Sequence, residues 1–398
     1  LTNGRTVSYI VLAVRFACAI LLAVLLAPAV HAADPVRAAK PGLPLPGLTP
    51  AEVDAYKAGF LAFREHMGAG EGLGPNFNGG SRCYHCHRGP ALGGTSKETV
   101  TRFGRTIAGG FDPLVALGGP VLQEKAVAPG CEEVVPPQAN VVVRRSVSST
   151  LGAGLVEAIP DEQRLDREMA QAAANPAMAG RVHVVTSVSD GLQHVGRFGW
   201  KATGALLADV VAEAMVNEMG VTNPLFPAES PPNGNVALLA LCDPVPDPED
   251  TGAFLDELTT LLRFLSPMPV PKRMQGIVQP GEVIFNAIGC GFCHYSGYTT
   301  VSANAAIDGK LVDLYSDLLL HDVGTGDGLA DGNAQAAEFR TAPLWVLKST
   351  APFLHDGRAR NIEGAILAHA GQATDVRAAY MALAKTERLA VLKFLGSR

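Results

Sequence analysis

Two pentads of one form, Cys83-Tyr-His-Cys86-His87 and Cys290-Gly-Phe-Cys293-His294, dictate what the rest of this chain must enclose. Two cysteines with this spacing can each form a thioether to one vinyl group of a haem, and the histidine that follows then falls beneath the iron as an axial ligand. The pentads take four of the seven cysteines. Two covalently bound haem c groups are therefore expected, on His87 and His294. The rival is a zinc site with four thiolate ligands drawn from both pairs, which leaves the adjacent histidines without a role.

Arg5 and Arg15, an apolar run from Phe16 to Val30, and Val30-His31-Ala32 before Ala33 have the form of a charged region, an apolar region and a small-residue cleavage site. Residues 1–32 are accordingly expected to be a signal peptide; an uncleaved anchor is the alternative, although Arg15 interrupts the stretch. Covalent haem is attached outside the bacterial cytoplasm, so the expected location is periplasmic. The 32 basic and 38 acidic residues give a formal charge of −6, and losing Arg5 and Arg15 makes it more negative. An acidic body of this kind lacks the basic footprint that nucleic-acid binding needs. With 43 glycines and 28 prolines, long loops are expected, which a haem can support as a large apolar core element. Cys131 and Cys242, outside the pentads, are either paired or free structural thiols.

The fold class expected is mainly α, two cytochrome c-like haem domains with long loops and a few short strands. After a leader at 33–48, the N-terminal haem domain spans 49–266 and the C-terminal one 272–398, with the prolines of Ser266-Pro-Met-Pro-Val-Pro271 between them. Thr49-Pro50-Ala51-Glu52 is a capping box opening a first helix that runs toward Gly68. Helices are also expected near Asp161–Ala174, Gly204–Met219, Asp250–Leu265, Glu282–Ile288, Asp375–Ala384 and Glu387–Leu395. Between 98 and 145 the pattern indicates short strands and loops, clearest at Val141–Val143. The Gly/Asp-rich segment Gly324–Gly332 lacks the closing glutamate of an EF-hand.

Longer blocks add a resemblance. Gly72-Leu-Gly-Pro75, Gly154-Leu-Val-Glu-Ala-Ile-Pro160, Gly196-Arg-Phe-Gly-Trp-Lys-Ala202, Glu218-Met-Gly-Val-Thr222, Tyr315-Ser-Asp-Leu-Leu-Leu-His-Asp322, Arg340-Thr-Ala-Pro-Leu-Trp345 and Phe353-Leu-His-Asp-Gly-Arg-Ala359 follow one another in the order seen in di-haem oxidoreductases. The chain resembles that family, relatives of bacterial di-haem cytochrome c peroxidase and MauG, over nearly all of the part after the leader. In those peroxidases a methionine fourteen residues after the histidine of the His-Asp-Gly block ligates the second haem, and MauG has a tyrosine there. Counting from His355 gives His369, so the resemblance implies a second haem held between His294 and His369. The alternative for His369 is a core histidine on a helix face.

The same resemblance implies that Trp200 relays electrons between the haems, and that Glu218 transfers protons to and from peroxide on the open face of the first haem. These two are the expected catalytic residues; the alternatives are a core tryptophan and a surface glutamate at a helix end. One departure stands out: the relatives' glutamine upstream of that glutamate corresponds here to Val210. Arg197, Lys201 and Arg358 are candidate partners of haem propionates, His321 and His355 candidates to orient propionates or loops. A calcium ion on backbone carbonyls near Thr350-Ala-Pro352 is a further possibility. The function implied is a peroxidase-like oxidoreductase acting on peroxide or a partner protein and fed by a small electron donor such as a cytochrome c or cupredoxin. The alternatives are a non-catalytic electron carrier, in which His66 could close the first iron, and a haem-based sensor or scaffold.

Overall fold

The computed structural model describes residues 34–35, 40–269 and 275–398, and Pro35–Arg398 cluster into one compact body. The expected signal peptide, part of the leader and Val270-Pro271 of the expected boundary lie outside the described residues. No helix among the described residues is long and apolar enough to cross a membrane.

Helix α1 is Pro50–Ala62, and its cap is the expected one: the Glu52 amide donates to Thr49 Oγ1 at 3.3 Å and the Thr49 amide to the Glu52 carboxylate at 2.7 Å. It stops before Gly68, where Phe63 turns toward the first pentad. Then follow α2 (Ala153–Glu157), α3 (Asp161–Ala174), α4 (Leu207–Met219), α5 (Val236–Cys242) and α6 (Ala253–Phe264). The last four helices are α7 (Gln275–Ala287), α8 (Ile362–Leu367), α9 (Thr374–Ala382) and α10 (Lys385–Leu395). Helices α1 and α6 pack so closely that a Cβ on Gly59 would lie 2.2 Å from the Glu257 carbonyl oxygen, so that position admits only glycine.

Helix α7 begins seven residues before the expected Glu282 and carries Pro280 inside it. Burial explains why the proline is tolerated: Val278 and Phe285 on this helix enter a core with Tyr315, Tyr380, Val391 and Phe394, and that packing offsets the lost backbone hydrogen bond. The larger core joins α1, α2, α4 and α6, and also takes in Tyr298, Val312, Leu314, Leu318 and Trp345 from the second half of the chain.

Between 98 and 146 the strands are longer than expected. Strand β1 (Thr99–Ile107) is flanked by β2 (Gly110–Asp112) and β3 (Val141–Ser146), both antiparallel, with Thr99 opposite Ser146 and Arg105 opposite Asp112. Arg102, Gly104 and Arg105 hide the alternation in sequence, whereas Thr101 and Phe103 are buried. The Gly/Asp-rich segment is what this sheet leans on: Asp327 accepts from Arg145 Nε at 2.8 Å and Asp331 from Arg102 Nη1 at 2.8 Å. Arg145 and Asp327 are 4 % and 5 % exposed, so each neutralises a charge the other could not bury alone.

Cys131 and Cys242 are joined, Cα to Cα 6.0 Å, pinning the end of α5 to the loop before β3. The bond closes a span of 111 residues. Loops of that size lose several kcal/mol of unfolded-state entropy on closure, so Cys131→Ser with Cys242→Ser is expected to cost about 2–5 kcal/mol in denaturant titration. A loss under about 1 kcal/mol would show that the bond is dispensable.

Candidate functional site

The four pentad cysteines are unpaired and partly accessible, each pair on a single 3₁₀ turn. Among the described residues, the groupings of three or more side chains able to hold one ion are Cys293 with Asp317 and His321, and Glu229 with Asp247 and Glu249. Neither joins the two cysteine pairs, so a shared four-thiolate zinc site is not formed. Neither grouping includes a residue of Thr350–Pro352, where Thr350 Oγ1 donates to the Val346 carbonyl at 2.6 Å.

At the second pentad, α7 delivers Cys290, and the turn it enters returns the His294 amide to the Cys290 carbonyl at 3.0 Å. His294 Nδ1 donates to the Tyr315 carbonyl at 3.0 Å, with the Phe285 ring 6.0 Å from the imidazole. His369 follows α8, whose N-terminus is capped by Asn361 accepting from the Gly364 amide at 2.7 Å; His369 Nδ1 donates to the Ala365 carbonyl at 2.8 Å. Both histidines thus commit Nδ1–H to backbone and leave the Nε2 lone pair for a metal. Burial keeps both imidazoles neutral: it lowers the pKa of His369, and with the nearby His369 imidazole it pushes His294 down to about 4.

Cys290, Cys293, His294 and His369 line one cavity of about 310 Å³, together with Trp200 and His355. The sequence separates these residues by up to 169 positions, yet the fold brings them to a common space. Trp200 Nε1 donates to the Ser146 carbonyl at 2.8 Å, which places the indole at the end of β3. The residues present fit a haem here: two thiols on one turn, two neutral imidazoles with free Nε2 atoms, and a largely apolar lining.

At the first pentad, Cys83 follows the end of α1, with the Tyr84 amide donating to the Phe63 carbonyl at 3.0 Å. His87 Nδ1 donates to the Gly94 carbonyl at 3.1 Å, and burial lowers its pKa, the same arrangement as at His294. Cys83 Sγ lies 3.9 Å from Met219 Sδ at the end of α4, and the Asn78 amide donates to the Glu218 carbonyl at 2.8 Å. Gly220, at φ +64°, ends α4 where a Cβ would sit 2.5 Å from the Asn76 carbonyl oxygen, so the loop before the pentad can close on the helix. Burial pushes the Glu218 carboxyl up to about 7, with the Asn78 side chain acting against it. The pentad and Glu218 therefore meet at one place, separate from the cavity that holds Trp200 and His369. Val210 packs against Gly204, one turn into α4.

Several candidates take other positions. Arg197 is buried and donates to the carbonyls of Val156 and Ile159 and to the Asp161 carboxylate, and Lys201 Nζ donates to the carbonyls of Gln335 and Ala336 at 2.8 and 3.1 Å. Both are structural clamps, because a buried cation must be surrounded by acceptors. Arg358 pairs with Asp356 at the surface. The cations that do line the cavity are Lys97, Arg340 and Arg377; Arg340 opens the Arg340–Trp345 block, and none of the three was among the expected propionate partners. His66 is exposed and bonded to Ser81 Oγ at 2.9 Å, and His85 lies 3.5 Å from Glu98. His321 bridges Asp317 at 2.9 Å and Cys293 Sγ at 3.7 Å.

Paired cysteines with a following histidine at two places, one of them opening on a cavity with a second imidazole, define a class of proteins that hold two haems and move electrons. Residues 138–398 match the family model "Di-haem oxidoreductase, putative peroxidase", and the chain belongs to that family. It is an oxidoreductase of peroxidase-like type. The matched region includes Trp200, Glu218, the second pentad and His369, and begins after the first pentad.

No curated protein matches the chain. Among solved structures, hydrazine synthase of Kuenenia stuttgartiensis is 14 % identical, covering 92 % of this chain and 95 % of its own, with a TM-score of 0.43. The di-haem peroxidase BthA of Burkholderia thailandensis E264 is 13 % identical, with 91 % and 94 % covered and a TM-score of 0.38. A MauG-like protein associated with microbial copper homeostasis is 16 % identical, with 62 % and 88 % covered and a TM-score of 0.30.

Proposed function

We propose that this oxidoreductase is an exported di-haem c-type protein, each haem tethered by one pentad, in which the first site reduces peroxide and the second handles electrons. The observation that carries this reading is the asymmetry of the two sites. The second offers His294 and His369 to one cavity, whereas the first has a carboxyl, Glu218, near Cys86, and its pKa of about 7 lets it hold or release a proton near neutrality. Bound at these sites, the haems supply one-electron redox steps and an iron able to split an O–O bond.

The chain's own residues do the rest. His87 and His294 present Nε2 because Gly94 and Tyr315 hold their Nδ1–H groups. Glu218, half-buried, accepts a proton from peroxide and returns it to the leaving oxygen. Trp200 lies in the second cavity with its N–H held by Ser146, in reach of the route between the sites. The electron donor in this reading is a small redox protein such as a cytochrome c or cupredoxin. The substrate is peroxide, or a partner protein oxidised at a distance.

Optical and EPR spectra of the purified holoprotein, resting and half-reduced, test the reading. One high-spin ferric haem that changes on adding peroxide, beside one low-spin haem, is the expected result. Two low-spin haems indifferent to peroxide in both states would overturn it in favour of a pure electron carrier.

A further inference from the structure

His321 is a cavity histidine that the functional reading leaves without a task. Its side chain is 3 % exposed and lines the second cavity, and its Nε2 meets Asp317 Oδ2 at 2.9 Å, on a carboxylate with no exposure at all. That carboxylate is held from several sides. Its Oδ1 accepts from the Leu319 amide at 3.0 Å, and its Oδ2 also accepts from Gln171 Nε2 at 2.7 Å. Gln171, on α3, shares the same nitrogen with the Phe292 carbonyl inside the second pentad at 2.7 Å, and its own oxygen accepts from the Gly180 amide at 2.9 Å. The Asp317 amide donates to the Cys293 carbonyl at 2.8 Å. A Cβ on Gly180 would collide with His321 Nε2, so the ring is packed against backbone as well.

The other ring nitrogen, Nδ1, stands 3.7 Å from Cys293 Sγ. With both nitrogens committed, none is left for a propionate. The positions of the protons follow from the partners. Asp317, ionised beneath three donors, only accepts, so Nε2 carries a hydrogen. A free Cys293 thiol can give its own hydrogen to Nδ1. A thioether sulfur has no hydrogen and is only an acceptor, so once the haem is attached Nδ1 must donate too. An imidazole that donates at both nitrogens is a cation, and a buried cation needs the facing carboxylate that Asp317 supplies.

We propose that His321 is a positioning residue, held by Asp317 as an imidazolium whose Nδ1–H donates to the Cys293 thioether sulfur of the second haem. The proposal rests on the haem reading of this cavity. A positively charged donor at that sulfur draws electron density from the edge of the macrocycle, which favours the reduced iron and raises the midpoint potential.

The test is a spectroelectrochemical titration of two-haem holoprotein carrying His321→Gln or His321→Asn. Both side chains are neutral, so each removes the same charge. Gln reaches the place of Nε2 and donates to Asp317 alone, whereas Asn sets its amide nitrogen near the place of Nδ1 and can still donate to sulfur. The Gln variant is expected to lower the potential of the second haem with the first unchanged, and the Asn variant to lower it less. A Gln variant at the wild-type potential, or one no lower than the Asn variant, would overturn the proposal. If neither variant yields a two-haem protein, Asp317→Asn leaves the imidazole in place and withdraws the charge that keeps it doubly protonated. The potential is then expected to fall, because the positive charge lost stood between the sulfur and the negative charge lost; a rise or no change would overturn the proposal. A wild type without covalent haem on the second pentad would overturn the haem reading itself, and peptide mass shows it before any potential is measured.

Discussion

His369→Ala is expected to turn one haem, and only one, from low spin to high spin in the ferric state. The second cavity offers two imidazoles with free Nε2 atoms, and removing one would leave His294 as the imidazole able to hold a haem iron there. Added imidazole should enter the space left by the side chain and restore the low-spin spectrum. His369→Met should keep the haem low-spin and raise its potential, because a thioether donates less charge to iron than an imidazole does. The measurement is EPR with parallel optical spectra on protein of verified haem content. A spectrum unchanged by His369→Ala would remove His369 from the ligand set and leave it a core histidine bonded to Ala365.

Glu218→Gln is expected to lower peroxide turnover by about 10²–10⁴-fold, the usual worth of a positioned acid–base group, with both haems retained and the second haem's spectrum unchanged. The same substitution has a pH signature in stability. Burial raises the folded carboxyl from 4.5 to about 7, so across that interval the folded state binds a proton that the unfolded state has released. The contribution of Glu218 to wild-type stability therefore falls as pH rises from about 4.5 to 7. The Gln variant, which never ionises, should match wild type below pH 4.5 and exceed it above pH 7 in denaturant melts. Full turnover in the variant would sink the catalytic role, and a stability difference that does not vary with pH would sink the buried-carboxyl account.

Much of the local structure was legible because its causes are local. The Thr49–Glu52 capping box, the span of α3 and the two closing helices all depend on neighbours within a few positions. The longer α7 and the nine-residue β1 were not legible, since Pro280 and the charged residues of β1 are tolerated only through contacts made far along the chain. Arg197 and Lys201 mark the same limit at the site. As sequence, a cation beside a conspicuous tryptophan looks like a ligand for a propionate; in the fold, each is enclosed by backbone carbonyls.

The pentads needed no fold to be read, because thioether formation demands two cysteines and a histidine at fixed spacing on one short stretch of backbone. That spacing established the two haem-type sites and the residues that begin each of them. It carried no information on what faces those residues, since a facing group comes from a distant segment and is placed by packing. The tertiary structure made that assignment: α8 brings His369 into the cavity of His294, the tip of β3 brings Trp200 and His355 beside it, and α4 sets Glu218 at the other site near Cys86. Two pentads of one form differ in this protein because the fold sets an imidazole beside one and a half-buried carboxyl beside the other.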